Sequence, residues 1–445
     1  MPILRKPLAM AGTALGLALL LLTAALVGGV PGGSKEGTVA PRLAGDATAP
    51  FAIGLASAAG LPGTINALQE HLRAQPKDAR SWATLGLAYV EQARLSSDPA
   101  FYPKAAGALE RSLAIEPRDN DSALLGLSAL ASGRHDFVAA ESYARQSLEV
   151  NPDSAAGFGA LSDALTELGR YSKALRAART MDRLRPGLPS LARLSYQAEL
   201  RGDLAGARRL FEAALPQATN PDDVAFVRQQ LGDLAWAGGS LTAAEAHYRA
   251  ALRAEPGQVG ALFGRSRVAF GRGDIATALE LAATVAQRRP TVEHVIWYGE
   301  LLAAAGRTTA AADQYGLART AAEVQRAAGV AVDLEVALYE ADHGDPIRAL
   351  AAAEVAYQHR PSVFAADAYA WALHVNGMDR RALRYADKAA RLGTASALLA
   401  FHRGMIERSL GMAGAARREL RLSLRLNPHF SPLLAPQAER ALASM

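Results

Sequence analysis

Thiolate nucleophiles, thiolate metal sites and disulfides are all closed to this chain, because its 445 residues include no cysteine. The nine histidines are scattered, and no His-Glu-x-x-His spacing sets two imidazoles one helical turn apart for zinc. There is no Gly-x-Ser-x-Gly elbow to expose a serine, no Gly-rich loop to cradle phosphate and no Asp-rich calcium loop. His374 and His402 form the one conceivable metal pair, since both fall on first helices of neighbouring units in the pattern described below. No third ligand accompanies them at a recognisable spacing, so they read as solvated or core residues. Asn120-Asp121-Ser122 matches a glycosylation sequon, but one tripeptide is weak evidence. These residues predict a binding protein rather than an enzyme, with no catalytic group, cofactor or metal.

The elements that would position any binding residues are legible as a pattern recurring ten times. Its clearest first half is Trp82-Ala-Thr-Leu85-Gly86-Leu-Ala-Tyr89. The second half is a Gly, an Ala five residues later, and usually a closing Pro: Gly169, Ala174 and Pro186 in one copy, Gly239, Ala244 and Pro256 in another. Between these marks lie Ala, Leu, Arg and Glu, which favour helix. Small residues such as Gly232 and Ala244 let two helices approach closely. The Gly at position fifteen (Gly133, Gly202, Gly273 and Gly344 among them) is expected to end each first helix in the left-handed conformation. The Pro lacks a donor N–H and stops the second helix.

This signature, W-x₂-L-G-x₂-Y…A-x₃-F…P, resembles the 34-residue tetratricopeptide repeat (TPR) family from roughly Asp78 to Pro428. The resemblance implies an all-α, right-handed solenoid of about ten helix-turn-helix units, beginning near Ala79, Asp119, Ala155, Leu188, Ala225, Val259, Val292, Val330, Val363 and Ala397. Unit one carries an insertion around Ser96–Tyr102. Arg265 and Arg403 replace the usual apolar residue at position seven of units six and ten, which places the packing there in question. Ile65–Ala74 and Pro436–Ser444 read as terminal caps.

In this family the inner wall is lined by certain first-helix positions. Carried onto this sequence, those positions hold the aromatics Tyr196, Phe226, Trp236, Phe263, Phe270, Trp297, Phe364, Trp371 and Phe401. They also hold acidic groups, among them Glu199, Asp233, Glu293 and Glu300, expected to be solvated, and fewer basic ones, chiefly Arg193, Arg267 and Arg408. The resemblance thus implies an aromatic, acidic, peptide-binding groove. The Lys/Asn arrangement with which chaperone-binding relatives clamp a terminal carboxylate is missing. Surplus positive charge falls instead on second helices, at Lys173, Arg176, Arg179, Arg384 and Arg418 for example. That face reads first as a solvated surface and second as a contact for anionic lipid or cell-wall polymer.

The amino end is separate. Arg5 and Lys6 precede an uncharged stretch from Leu8 to Val30, long enough to span a bilayer at about 20 residues. Small residues at Val27-Gly28-Gly29 or Thr23-Ala24-Ala25 leave a cleaved signal open as well. Either way the flanking cations orient the repeats outward. The expected organisation is a signal peptide or membrane anchor over 1–30, a Pro/Gly/Ala-rich linker over 31–61, and a solenoid over 62–445. The formal net charge of +5 is too mild to imply nucleic acid. The reading is a non-catalytic scaffold, tethered at or exported to the cell envelope, that binds a protein or peptide partner in its groove. The alternative is an envelope regulator sensing a small molecule or cell-wall fragment.

Overall fold

A computed structural model describes residues 60–445; the expected anchor and most of the linker lie outside them. The described residues form helices and turns, with no strand among them. After α1 (Leu61–Ala74) come ten antiparallel pairs. The first five pairs are α2 (Ala79–Ser96) with α3 (Phe101–Ile115), α4 (Asp121–Gly133) with α5 (Phe137–Val150), α6 (Ala155–Glu167) with α7 (Tyr171–Leu184), α8 (Leu188–Glu199) with α9 (Leu204–Ala214), and α10 (Pro221–Ala237) with α11 (Leu241–Ala254). The second five are α12 (Val259–Gly271) with α13 (Ile275–Arg288), α14 (Val292–Ala304) with α15 (Thr308–Ala327), α16 (Asp333–His343) with α17 (Pro346–His359), α18 (Val363–Val375) with α19 (Asp379–Ala389), and α20 (Ala397–Ser409) with α21 (Ala413–Leu426). Helix α22 (Ala435–Ala443) closes the stack. This is the expected all-α, TPR-type solenoid. Among the described residues no helix is long and apolar enough to cross a membrane.

Local chemistry explains where the helices start. Asp78, Asn120, Ser154, Asn220, Thr291, Ser362 and Ser396 each accept a backbone N–H from the first turn of the helix they precede, satisfying one of its orphan donors. The pairs are then locked by small residues. Where Gly232 or Gly264 faces Tyr248, a Cβ would overlap the tyrosine ring. Where Ser stands at the contact between paired helices, its hydroxyl bonds across the pair. Ser128, Ser162, Ser195 and Ser266 donate to the carbonyls of Ala140, Ala174, Ala207 and Ala278 at 2.8–3.0 Å.

Two expectations need correction. Gly133 and Gly344 do not supply the left-handed turn. After α4 that conformation is taken by His135, at φ 61°. Gly344 has φ −130° and is needed for space, because a Cβ there would overlap the Glu340 carboxylate, which accepts the Asp345 N–H at 2.8 Å. Arg265 and Arg403, in turn, do not disturb packing. Arg265 reaches Glu245 at 3.2 Å, and Arg403 joins Asp387 and Glu407 at 2.8 and 3.0 Å.

The superhelix closes on itself. Residues 191–196 apart in sequence touch repeatedly. Arg289 donates to the Leu95 carbonyl, His135 meets Ala331, and the Val363 N–H donates to the Tyr171 hydroxyl. Thr394 donates to Leu200, and Asn427 to Trp236. The interval lies between five and six units, so each unit from the second turn rests on the first. A solenoid that only contacted sequence neighbours would show none of these bonds.

Candidate functional site

First helices face the superhelix axis, so their inward positions converge. On the first turn α10 contributes Asp233 and Trp236, α12 contributes Phe263 and Arg267, and α14 contributes Glu293 and His294. Glu199 closes one edge from the end of α8. The second turn supplies the opposite wall through Phe364, the segment 394–398, Asn427 and Phe430. Together these line a partly open cavity of ≈ 120 Å³.

Arg267 organises one side. Its guanidinium pairs with Asp233 at 2.5 Å and lies 5.5 Å from the Trp236 ring and 4.7 Å from the Phe263 ring. Asp233, only 3% exposed, is saturated: Tyr248 donates to it at 2.8 Å and Gln229 at 3.0 Å. Buried ions need such partners, since a bare charge in a dry interior is costly. Arg267 keeps its Nε buried without a partner.

On the other side Glu199 and Glu293 are half-buried. Neither Glu199 nor Glu293 has a side-chain hydrogen-bond or salt-bridge partner among the described residues. Burial raises the Glu199 carboxyl to about 8, helped by the charge on Asp233. Burial also raises Glu293 to about 7, with Arg267 opposing and Asp233 reinforcing. His294 goes the other way, to about 4, because burial disfavours its cation. Its Nδ1 lies 2.9 Å from the Arg289 carbonyl oxygen and its ring sits edge-on to Phe263. The cavity thus presents two half-buried carboxyl groups beside Arg267 and Arg289, against aromatic walls.

Of the residues expected to line a groove, Trp236, Phe263, Phe364, Glu199, Asp233, Glu293 and Arg267 reach this cavity. The others pack elsewhere. Tyr196 is buried with Leu200, Val227 and Val363, and Phe226 sits half-buried, edge-on to Phe211. Trp297 is 0% exposed, donates to Ser266 at 2.9 Å and takes Phe263 and Phe270 edge-on. Trp371 donates to Asp342 at 2.7 Å and stacks on His402, while Phe401 is buried against Phe430. Glu300 is 0% exposed and faces His343 Nε2 at 3.3 Å. The expectation that Asp233 and Glu300 are solvated is therefore overturned by their burial between units. His374 and His402 do not converge on a metal. Each is held by its own carboxylate, Asp379 and Asp367, and no cluster of three metal-ligating groups occurs among the described residues.

The second-turn wall was not legible in the sequence. Nothing in 394–398 or at Phe430 marks those residues as partners of α10 and α12, because the offset that joins them is set by superhelical pitch.

The tetratricopeptide-repeat family profile matches residues 123–189, 198–259, 229–292 and 263–325. The chain is 31% identical over 214 residues to the cellulose synthase 1 operon protein C of Komagataeibacter xylinus, and 29% identical over 248 residues to the cellulose synthase operon protein C of Xanthomonas axonopodis pv. citri. Those alignments cover 44% and 52% of this chain but 15% of each relative, so the chain matches a small part of much longer proteins. Among solved structures, yeast Tom70 aligns over 86% of this chain and 89% of its own, with 15% identity and a TM-score of 0.41. A thermophilic TPR protein of Thermus thermophilus aligns over 42% and 98%, with 22% identity and a TM-score of 0.36. The helix pairs of residues 123–189 and 198–325 are tetratricopeptide repeats, and the pairs on either side continue the same stack.

Proposed function

We propose that this chain is a non-catalytic scaffold that binds a segment of a partner protein through its axial cavity. One observation carries the reading: Glu199 and Glu293 line a partly open cavity without partners of their own, beside Trp236 and Phe263. A half-buried carboxyl against aromatic walls, with no side chain bonded to it, is costly to ionise in the free protein. A lysine, arginine or backbone N–H from a partner relieves that cost, and the aromatic walls take its apolar stem. The names of the relatives make components of a cellulose-synthesis assembly the first partners to try. An amino-terminal anchor or signal, with the array outside the cytoplasm, fits a role at the envelope.

The small volume of the cavity, ≈ 120 Å³, also favours the second reading, a small polar ligand such as a cell-wall sugar fragment. Cross-linking separates the two. A photoreactive residue at Ala395, on the cavity wall, should capture a discrete protein from cells, whereas one at Glu280 on the outer face of α13 should not. Equal adducts at both positions would remove the cavity from partner binding. Loss of cavity adducts on adding cell-wall oligosaccharide, with no protein captured, would favour the sugar.

A further inference from the structure

The outer surface carries charge unevenly. On α7, Lys173, Arg176, Arg179 and Arg183 are exposed at spacings of three, three and four, one stripe facing away from the core. On α19, Arg380, Arg384 and Lys388 are exposed at spacings of four, with Arg381 exposed beside them. Helix α9 adds Arg208 and Arg209, and α21 adds Arg418, Arg421 and Arg425, with Arg417 half-buried. The carboxylates on three of these helices are engaged away from the stripes. Asp387 and Glu419 go to Arg403, Asp379 to His374, and Asp182 to the Ser190 hydroxyl. These four helices hold fourteen cations against five carboxylates, a net of +9, where the whole chain carries +5. The six other outer helices (α3, α5, α11, α13, α15 and α17) together lie within one charge of neutral.

Closure of the superhelix turns four separate stripes into one wall. Helices α7 and α9 belong to neighbouring units of the first turn, α19 and α21 to neighbouring units of the second. The end of α19 rests on the first turn: Arg391 donates to the Gly169 carbonyl at 3.2 Å and its guanidinium lies 5.2 Å from the Tyr171 ring, at the start of α7. Thr394 donates to Leu200, just before α9. The two pairs are therefore stacked end to end, the end of α19 against the start of α7.

We propose that this wall docks on an anionic phospholipid surface. A broad convex array suits many headgroups presented in a plane, whereas a single polymer strand is better held in a groove. Exposed Leu184 and Met412, at the end of α7 and just before α21, add apolar tips at the margin. Each cation adds attraction within a Debye length of an anionic membrane.

Vesicle co-sedimentation of the full chain tests this, because neutral phosphatidylcholine vesicles report whatever the amino-terminal segment contributes alone. Phosphatidylcholine doped with phosphatidylglycerol should bind more protein in low salt, and the excess should vanish in high salt. Two double variants, Arg176→Glu with Arg179→Glu and Arg380→Glu with Arg384→Glu, should each weaken the excess. Their combination should reduce it at least about tenfold while melting like the parent. Equal binding to neutral and anionic vesicles, or an unaffected quadruple variant, overturns the proposal. A response to only one double variant overturns the two-turn wall. Binding to a soluble anionic polysaccharide with vesicles ignored replaces the lipid by a polymer.

Discussion

Two glycines of identical conformation give the cleanest test that the superhelical turns touch. Gly202 and Gly273 end first helices at φ 75° and 78°. Alanine at either position must adopt the left-handed region, at a cost of about 1–2 kcal/mol. At Gly273 nothing lies within 4 Å of the added Cβ. At Gly202 the Cβ would overlap the carbonyl oxygen of Gly393 on the second turn and lie 3.5 Å from its carbonyl carbon. A backbone carbonyl cannot rotate away as a side chain does, so the turns must part or strain, adding about 1–3 kcal/mol. Parting would also break the 2.6 Å bond from Thr394 to Leu200. Gly202→Ala should therefore unfold at clearly lower urea than Gly273→Ala, and small-angle scattering should show Gly202→Ala alone expanded. Long repeat arrays can lose cooperativity, so the comparison rests on midpoints rather than extrapolated free energies. Equal midpoints and equal dimensions for the two variants would refute the closed superhelix.

Trp297→Ala should cost about 3–5 kcal/mol by cavity formation, read as a large fall in melting temperature, since the indole is fully buried and bonded to Ser266. Asp233→Ala should cost about 3–5 kcal/mol in a denaturant titration by stranding the buried Arg267 charge, and Asp233→Ala with Arg267→Met should recover part of it. Glu300→Lys should leave little folded protein by circular dichroism, because it sets a cation in a fully buried site. Glu199, raised to about 8, Asp342, also about 8, and Glu293, about 7, keep protons in the folded state that the unfolded chain has already released. Stability should accordingly fall as pH rises from 6.5 to 8.5. That window lies above the range where His294, lowered to about 4, acts in the opposite sense. Glu199→Gln should flatten the decline in melting temperature, and an unchanged slope would contradict the burial of that carboxyl.

What the sequence by itself determined was everything with a period of one unit. The Gly and Pro punctuation set the helix boundaries, and the small residues at Gly232 and Ala244 set how closely paired helices pack. The signature between Trp82 and Pro428 was enough to specify an all-α stack of ten pairs. These are local consequences of backbone conformation and steric fit. Even the exceptions were local: at Gly344 the glycine is required by the Glu340 carboxylate rather than by a left-handed turn. The candidate site was legible in residue type but not in environment. Trp236, Phe263 and Asp233 were read on the inner wall and reach the cavity, yet the same reading took Glu300 for a solvated groove residue. The difference arises because a small rotation per unit, summed over more than five units, brings Asn427 to Trp236 and Thr394 to Leu200. No repeat encodes that sum. It is superhelical closure that sets the second turn against the first, completes the cavity wall with Asn427 and Phe430, and brings four separate basic stripes onto one face.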